Sequence, residues 1–353
     1  MKFTCEKTQL VSAISVASRT VAQKSAITGL EGILVRAGVK VMLTGYNLET
    51  GITVSVDADV QENGACIMPA RLFFDIVRKL PDDTVSIQVD ENFKVSIKGG
   101  ISSFTITALS ADDYPELPDV DSEKGIRVPQ CELKAMIAVS ENQARPIHTG
   151  ILFEVDNDSI TSVAVDGYRL ALRRYLPEES LERTLKFVAP AAALKEVEKI
   201  LGDTEDPATF YPGSKHILFT IGDATLVCRI LEGEFLDWRR VLPQNNPVKL
   251  VGNVSRLTDS IERVGLVISE KLKSPVRCKF GDNSAEFRTI STIGEAYDVC
   301  PIAGDGKDLE IGFNCKYLLD ALRAVPDSEC TLEMINGLSP IVLNPTEGNR
   351  YSY

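Results

Sequence analysis

Acid–base, nucleophilic and metal chemistry at neutral pH draws on histidine, cysteine and carboxylate side chains. This 353-residue chain has two histidines, eight cysteines and fifty Asp and Glu. His148 and His216 are too few for a His-rich metal site, and H-E-x-x-H does not occur. The cysteines, at 5, 66, 131, 228, 278, 300, 315 and 330, form no C-x-x-C pair, so buried, reduced thiols are expected rather than zinc ligands or a disulfide scaffold. A Ser-His-Asp or Cys-His system has little material to draw on, and G-x-x-x-x-G-K-[ST], G-x-G-x-x-G and G-x-S-x-G are all missing. Carboxylate pairs such as Asp112-Asp113 and Glu178-Glu179 stand in loop-like contexts near proline and read as solvated turns. No catalytic residue, metal or cofactor is assigned on these grounds. A binding protein is favoured, and a hydrolase with an unfamiliar carboxylate site is the competing enzyme-class reading.

The elements that must carry such a binding function repeat along the chain. Residues 8–22 place Leu10, Ile14, Ala17 and Val21 on one face at helical spacing, and similar segments follow at 131–144 and 255–269. Their anchors Leu10, Leu133 and Leu257 are 123 and 124 residues apart. A second helix is expected at 70–80, 191–201 and 314–325, with anchors Leu72, Leu194 and Leu318 spaced by 122 and 124. Alternating, strand-like segments lie between, among them 32–36, 39–44, 84–89, 94–98, 104–107, 150–154, 162–165, 217–221, 225–230 and 276–280. Proline-bearing linkers at 114–118 and 239–247 set boundaries near 123 and 248. The expected fold is α+β, with repeats at 1–123, 124–248 and 249–353, each of two helices and a mostly antiparallel sheet. The third repeat has 35 residues after Leu318 where the others have 37 to their equivalent strand residue, so its last strand is expected to be cut short.

Composition agrees with a globular chain of two or three domains: 44% hydrophobic, 25% charged, 7% aromatic, 38.6 kDa. No stretch approaches the roughly 20 apolar residues that span a bilayer, and the start, Met1-Lys2-Phe3-Thr4-Cys5, reads as a strand; a cytoplasmic protein without membrane contact is expected. A net charge of −12 disfavours nucleic acid at first sight. Counted with their flanks over 7–24, 70–79, 131–145, 191–201, 255–273 and 314–323, however, the helical segments carry 16 cations and 9 anions, a balance of +7, which leaves −19 for the remainder. Basic helices in an acidic chain read equally as helices with Lys and Arg on solvated faces or as helices that share one surface facing a polyanion.

Three stretches carry a family resemblance: Asp166-Gly167-Tyr168-Arg169-Leu170-Ala171, Phe235-Leu236-Asp237-Trp238-Arg239-Arg240-Val241-Leu242-Pro243, and Phe313-Asn314-Cys315-Lys316-Tyr317-Leu318-Leu319-Asp320-Ala321-Leu322. In this order, with the threefold repeat and the Met1-Lys2-Phe3 start, the chain resembles the bacterial DNA polymerase III beta subunit, the replicative sliding clamp. The resemblance implies the DNA clamp fold, closed as a head-to-tail homodimer into a six-domain ring whose helices surround duplex DNA without sequence preference. It implies Phe104, Ile106, Val267 and Ile268 at the dimer interface; Ile268 reads equally as core of its own repeat. Lys24, Arg71 and Asn142 match DNA-contacting positions, while Ala191 and Ala192 stand where the family is basic.

The resemblance further implies an apolar cleft between the second and third repeats, with an arginine fixing register, that receives linear peptides of the polymerase, the clamp loader and repair proteins. Its matching positions are His148, Val165, Gly167, Tyr168, Arg169, Leu170, Leu236, Arg240, Val241, Asn314, Tyr317, Leu338 and Pro340; Val165, Leu170 and Val241 also read as plain core. Tyr168 replaces a common histidine and Leu236 a common proline, which is expected to alter peptide preference. The family's C-terminal tail, of Pro-x-Arg-Leu type, does not follow Tyr353, and its loss is expected to weaken peptide binding. A monomeric scaffold that keeps the cleft but has lost ring closure is the competing interaction-class reading.

Overall fold

The computed structural model describes residues 1–137, 146–268 and 274–353. Six α-helices are described: α1 (Lys7–Ala17), α2 (Ala70–Lys79), α3 (Gln130–Ile137), α4 (Ala191–Glu198), α5 (Val254–Gly265) and α6 (Cys315–Ala324). They meet in pairs, α1 with α2, α3 with α4, α5 with α6. Each first helix follows a strand directly, and the starts are set by local chemistry. Pro69 and Pro190 precede α2 and α4, where a missing N–H costs nothing. Asn253 and Asn314 cap α5 and α6 by accepting from backbone N–H groups of the first turn.

The chain divides into two compact units, residues 1–137 with 189–231, and residues 138–188 with 232–353. In the first unit, one sheet runs in the order Asp59–Glu62, Lys2–Glu6, Thr84–Val89, Lys94–Gly99, Ser102–Thr107. Its second sheet has nine strands: Leu109–Ser110, Gly64–Pro69, Gly32–Ala37, Val41–Tyr46, Thr50–Val56, Ala224–Arg229, His216–Ile221, Pro207–Pro212, Ile126–Pro129. The join between first and second repeat is the antiparallel pair Thr50–Val56 with Ala224–Arg229, Ile52 lying opposite Leu226.

In the second unit, the strands Leu185–Pro190, Gly150–Val155, Ile160–Val165, Leu170–Tyr175 and Tyr351–Ser352 form one sheet, so the end of the third repeat completes the sheet of the second. The other sheet holds a long hairpin, Val276–Ile290 with Glu295–Phe313, followed in order by Val248–Asn253, Glu329–Met334 and Val342–Asn344. Its core packs Leu257, Ile261 and Val264 of α5 and Leu318 and Leu322 of α6 against Phe280, Phe287 and Leu332.

The structure corrects two sequence expectations. Leu72 is not an anchor: it is 47% exposed, and Phe73, Ile76 and Val77 face the core instead. The helix expected over 8–22 ends at Ala17, passes through a 3₁₀ turn at Ser18–Thr20, and leaves Val21 extended and half-buried. The cause lies in Gly45, where a Cβ would stand 1.9 Å from the Ala17 carbonyl oxygen. The bare backbone lets the strand Val41–Tyr46 meet the helix end, and the buried Thr20 hydroxyl donates to the Gly45 carbonyl at 2.8 Å.

Candidate functional site

The strands Ile160–Val165 and Leu170–Tyr175 set Val165 opposite Leu170, both half-buried. The turn between them is organised by Asp166. Its Oδ1 accepts from the Tyr168 and Arg169 backbone N–H groups at 2.8 and 3.0 Å, and its Oδ2 accepts from Arg169 Nε at 2.9 Å. The Tyr168 phenol projects from this fixed turn, and the residue is 83% exposed. A Cβ at Gly167 would meet nothing within 4 Å. Arg169 reaches α6, donating from Nη1 to Asp320 Oδ2 at 2.8 Å, and its guanidinium carbon lies 4.3 Å from the centroid of the Tyr317 ring. The Tyr317 and Tyr168 ring centroids are 6.2 Å apart. Asn314 fixes the first turn of α6 by accepting from the Lys316 and Tyr317 N–H groups. Burial works against the Arg169 charge, but hydrogen bonds to Asp320 and Asp166 outweigh it and hold its pKa above that of an ordinary arginine.

A second cluster surrounds the 3₁₀ turn Trp238–Arg240. Glu154, largely buried on the strand Gly150–Val155, accepts from Trp238 Nε1 at 3.2 Å and pairs with Arg239 at 2.8 Å and Lys186 at 3.2 Å. The Arg239 guanidinium in turn lies over the Trp238 ring. Burial alone pushes the Glu154 carboxyl up, but its bonds to Arg239, Lys186 and Trp238 prevail and depress its pKa. His148 sets its ring edge-to-face on buried Phe235, with centroids 5.2 Å apart. Leu236 is half-buried, Arg240 pairs among the described residues with Asp237 of its own turn, and Val241 is exposed rather than core. Leu338 and Pro340 are exposed on a turn that Asn336 holds by accepting from the Leu338 and Ser339 N–H groups. A small enclosed apolar cavity lies within the third repeat's core, lined by Leu257, Ile261, Phe280, Phe287, Leu318 and Leu322 among others; none of the predicted cleft residues lines it.

The strand Ser102–Thr107 ends its sheet with an open edge. Phe104 lies opposite Ile97 and Ile106 opposite Val95, on the face that elsewhere forms the core, yet Phe104 is 41% exposed. The strand Val276–Ile290 likewise ends its sheet. Near its hairpin tip, Ile290, Ile293, Tyr297 and Leu266 are exposed, Leu266 to 83%, and Ser291 Oγ donates to the Val267 carbonyl. Val267 is half-buried, and Ile268 packs against the third repeat's core.

Among the helix-side cations, Arg19 and Lys199 share Glu196, Arg78 pairs with Asp75, Lys134 with Asp203, Arg263 with Asp298 and Arg323 with Glu262. Lys24 and Arg71 are exposed and carry no ion pair among the described residues. Asn142 lies outside the described residues. Ala191 and Ala192 open α4 and offer no charge.

All eight cysteines are free thiols, six of them buried, with Cys131 and Cys315 intermediate. Burial pushes Cys5, Cys66, Cys228 and Cys330 up to about 12, so these stay protonated. Among the described residues no three His, Cys, Asp or Glu side chains are grouped to hold a metal, and no helix is long and apolar enough to cross a membrane.

Sequence reasoning missed Asp166 and Asp320, which hold Arg169, Glu154, which anchors the Trp238–Arg240 turn, and the exposed Leu266, Ile290, Ile293 and Tyr297. Asp166 and Asp320 both stand inside the motifs that carried the resemblance; the signal was present but assigned to their neighbours.

Residues 1–118 match the DNA polymerase III beta subunit N-terminal domain, 130–237 its central domain and 239–353 its C-terminal domain. The chain is 29% identical to a beta sliding clamp of Staphylococcus aureus, across 98% of this chain and 96% of the relative. In structure it is similar to a DNA polymerase III beta subunit from Eubacterium rectale (TM-score 0.94, 31% identity, 100% and 98% of the two chains). It is equally similar to the DNA polymerase sliding clamp of Bacillus subtilis (TM-score 0.94, 27% identity, 100% and 97%).

Proposed function

The chain belongs to the DNA polymerase III beta-subunit family, and on that premise we propose that it closes head-to-tail as a homodimer into a ring of six repeats around duplex DNA. Its function is that of a DNA sliding clamp for the polymerase, a processivity factor with no catalysis of its own. One observation supports ring closure above others: each end of the proposed junction offers an open sheet edge with uncovered apolar side chains. Ser102–Thr107, bearing Phe104 and Ile106, would meet Val276–Ile290 of the partner subunit, flanked by Leu266, Val267 and Ile268.

Enclosure supplies retention, so phosphate contacts can remain few and non-specific, and the ring slides. Lys24 and Arg71 are the cations we assign to that contact, because both are exposed and neither pairs with a carboxylate among the described residues. The acidic remainder of the chain discourages DNA from binding elsewhere.

The cluster of Val165, Gly167, Tyr168, Arg169, Leu170, Asn314 and Tyr317, with Leu236, Arg240 and Val241 on the Trp238 turn, is assigned to linear peptides of the polymerase, clamp loader and repair proteins. His148, Leu338 and Pro340 complete the proposed set. Repeat boundaries are placed near 123 and 248, and the protein is placed in the cytoplasm with the replication machinery.

The test combines molar mass by light scattering with retention on nicked circular and linearised DNA after loading. A mass near twice 38.6 kDa with retention on the circle alone is expected. A monomer at all concentrations, or equal retention on both DNAs, would replace the ring with ordinary surface binding.

A further inference from the structure

Two arginines of the second repeat grip α6 one helical turn apart. Arg169 donates to Asp320, and Arg173 donates from Nη2 to the Ala324 carbonyl at 2.6 Å, where the helix presents its unpaired C-terminal carbonyls. Arg169 is the more committed of the two. Its Nε is bound to Asp166, whose side chain is 2% exposed, its Nη1 to Asp320, and its flat face to Tyr317. A cation held by two carboxylates and an aromatic face has little charge left for an incoming ligand. Arg240 differs: its side chain is 86% exposed and its one ion-pair partner among the described residues, Asp237, is a solvated neighbour three residues away, a pairing of small energy.

We propose that Arg169 is the positioning residue of the peptide cleft rather than the cation that reads the peptide: held between Asp166 and Asp320, it fixes the Tyr317 ring beside Tyr168 and leaves Arg240 to meet a peptide carboxylate. This rests on the cleft reading above and selects between the two arginines, Arg169 and Arg240, that the expectation of a register-fixing arginine leaves open. A guanidinium suits the geometry, because its rigid planar fork reaches two separate carboxylates while its flat face lies on a ring; a lysine ammonium is a point charge with no such face to stack on Tyr317.

The test uses the full chain and a fluorescein-labelled pentapeptide with Leu and Phe anchors, made once with an aspartate and once with an asparagine at the same position. Arg169→Gln is expected to weaken both peptides about ten-fold, with the loss disappearing in a Tyr317→Ala background. Arg240→Gln is expected to weaken the aspartate peptide alone. If Arg169→Gln affects only the aspartate peptide, or if its loss adds in full to that of Tyr317→Ala, the positioning role is overturned. Hydrogen exchange of residues 314–320 without peptide supplies an independent reading, with Asp320→Asn as the milder variant. Faster exchange there in both variants, with an unchanged melting transition elsewhere, upholds the role; unchanged exchange overturns it. Should the wild-type chain bind neither peptide, the cleft reading fails and the exchange result alone decides whether Arg169 positions Tyr317.

Discussion

Replacing Phe104 with alanine separates two processes that a ring makes distinct. The residue is 41% exposed, and a phenylalanine has about 200 Å² to bury, so about 80 Å² of it is left for the proposed partner subunit to cover. At ~25 cal/mol/Å², covering that surface would stabilise one junction of the proposed ring by about 2 kcal/mol. The part of the ring already covered by its own sheet is lost equally from monomer and dimer and cancels. A head-to-tail dimer has two equivalent junctions, so complete dissociation loses the term twice, about 4 kcal/mol or ~10³-fold in Kd. Opening one junction while the other holds loses it once, about 30-fold. Sedimentation over serial dilutions reads the first quantity, and the rate of escape from nicked circular DNA reads the second. Equal shifts in both would refute the two-junction argument. An unchanged dimer Kd would remove the strand Ser102–Thr107 from the interface.

Four further outcomes are expected. Lys24→Ala with Arg71→Ala should impair loading and clamp-dependent synthesis without unfolding, and flatten the dependence of log K on log salt by about 1.8; unchanged processivity takes both residues off the DNA-facing set. Phe73→Ala should destabilise by about 3–5 kcal/mol in denaturant melts while Leu72→Ala stays within about 0.5–1 kcal/mol, and equal costs would undo the burial assignment. Gly45→Ala, whose Cβ would overlap the Ala17 carbonyl oxygen, should prevent stable folding, whereas Gly38→Ala, with nothing within 4 Å, should be neutral in the same melts. The Glu154 carboxyl, depressed below its ordinary 4.5, binds a proton more readily when unfolded. Its contribution is therefore complete above about pH 4.5 and lost as pH falls through the folded value, and Glu154→Gln should lower melting temperature at pH 7 while flattening the acid decline. An unaltered acid slope would show that Glu154 does not carry it.

How much of this was written in the sequence depends on range. Helical spacing located all six helices because Leu10, Leu133, Leu194, Leu257 and Leu318 each begin an apolar stripe that folds inward. It misplaced the anchor of α2, where Leu72, Phe73 and Phe74 stand together and the stripe can start at any of them; Ile76 and Val77 select Phe73. Val21 fitted the period but lost its place to Gly45, a contact made by a strand more than twenty residues away. Strand alternation told which faces are buried and could not tell who pairs with whom, so the link between Thr50–Val56 and Ala224–Arg229 was invisible. The same holds at the site. Tyr168, Arg169 and Tyr317 were legible through motif resemblance, but the Arg169 partnership with Asp320 spans 151 residues and emerges only on folding.

The nine-stranded sheet runs across the border between two of the sequence repeats. By sequence the unit is a repeat of roughly 123 residues; by hydrogen bonding, the central copy gives Ala224–Arg229 to a neighbour on one side and receives Tyr351–Ser352 from the other. Excised at its sequence borders, that copy would bear two raw edges, each a template for another chain. The chain thus holds three tandem domains but packs as two compact units: a fragment cut at the domain borders is expected to aggregate, and exchange experiments are expected to show amides of the central domain opening in two groups, one with each neighbour.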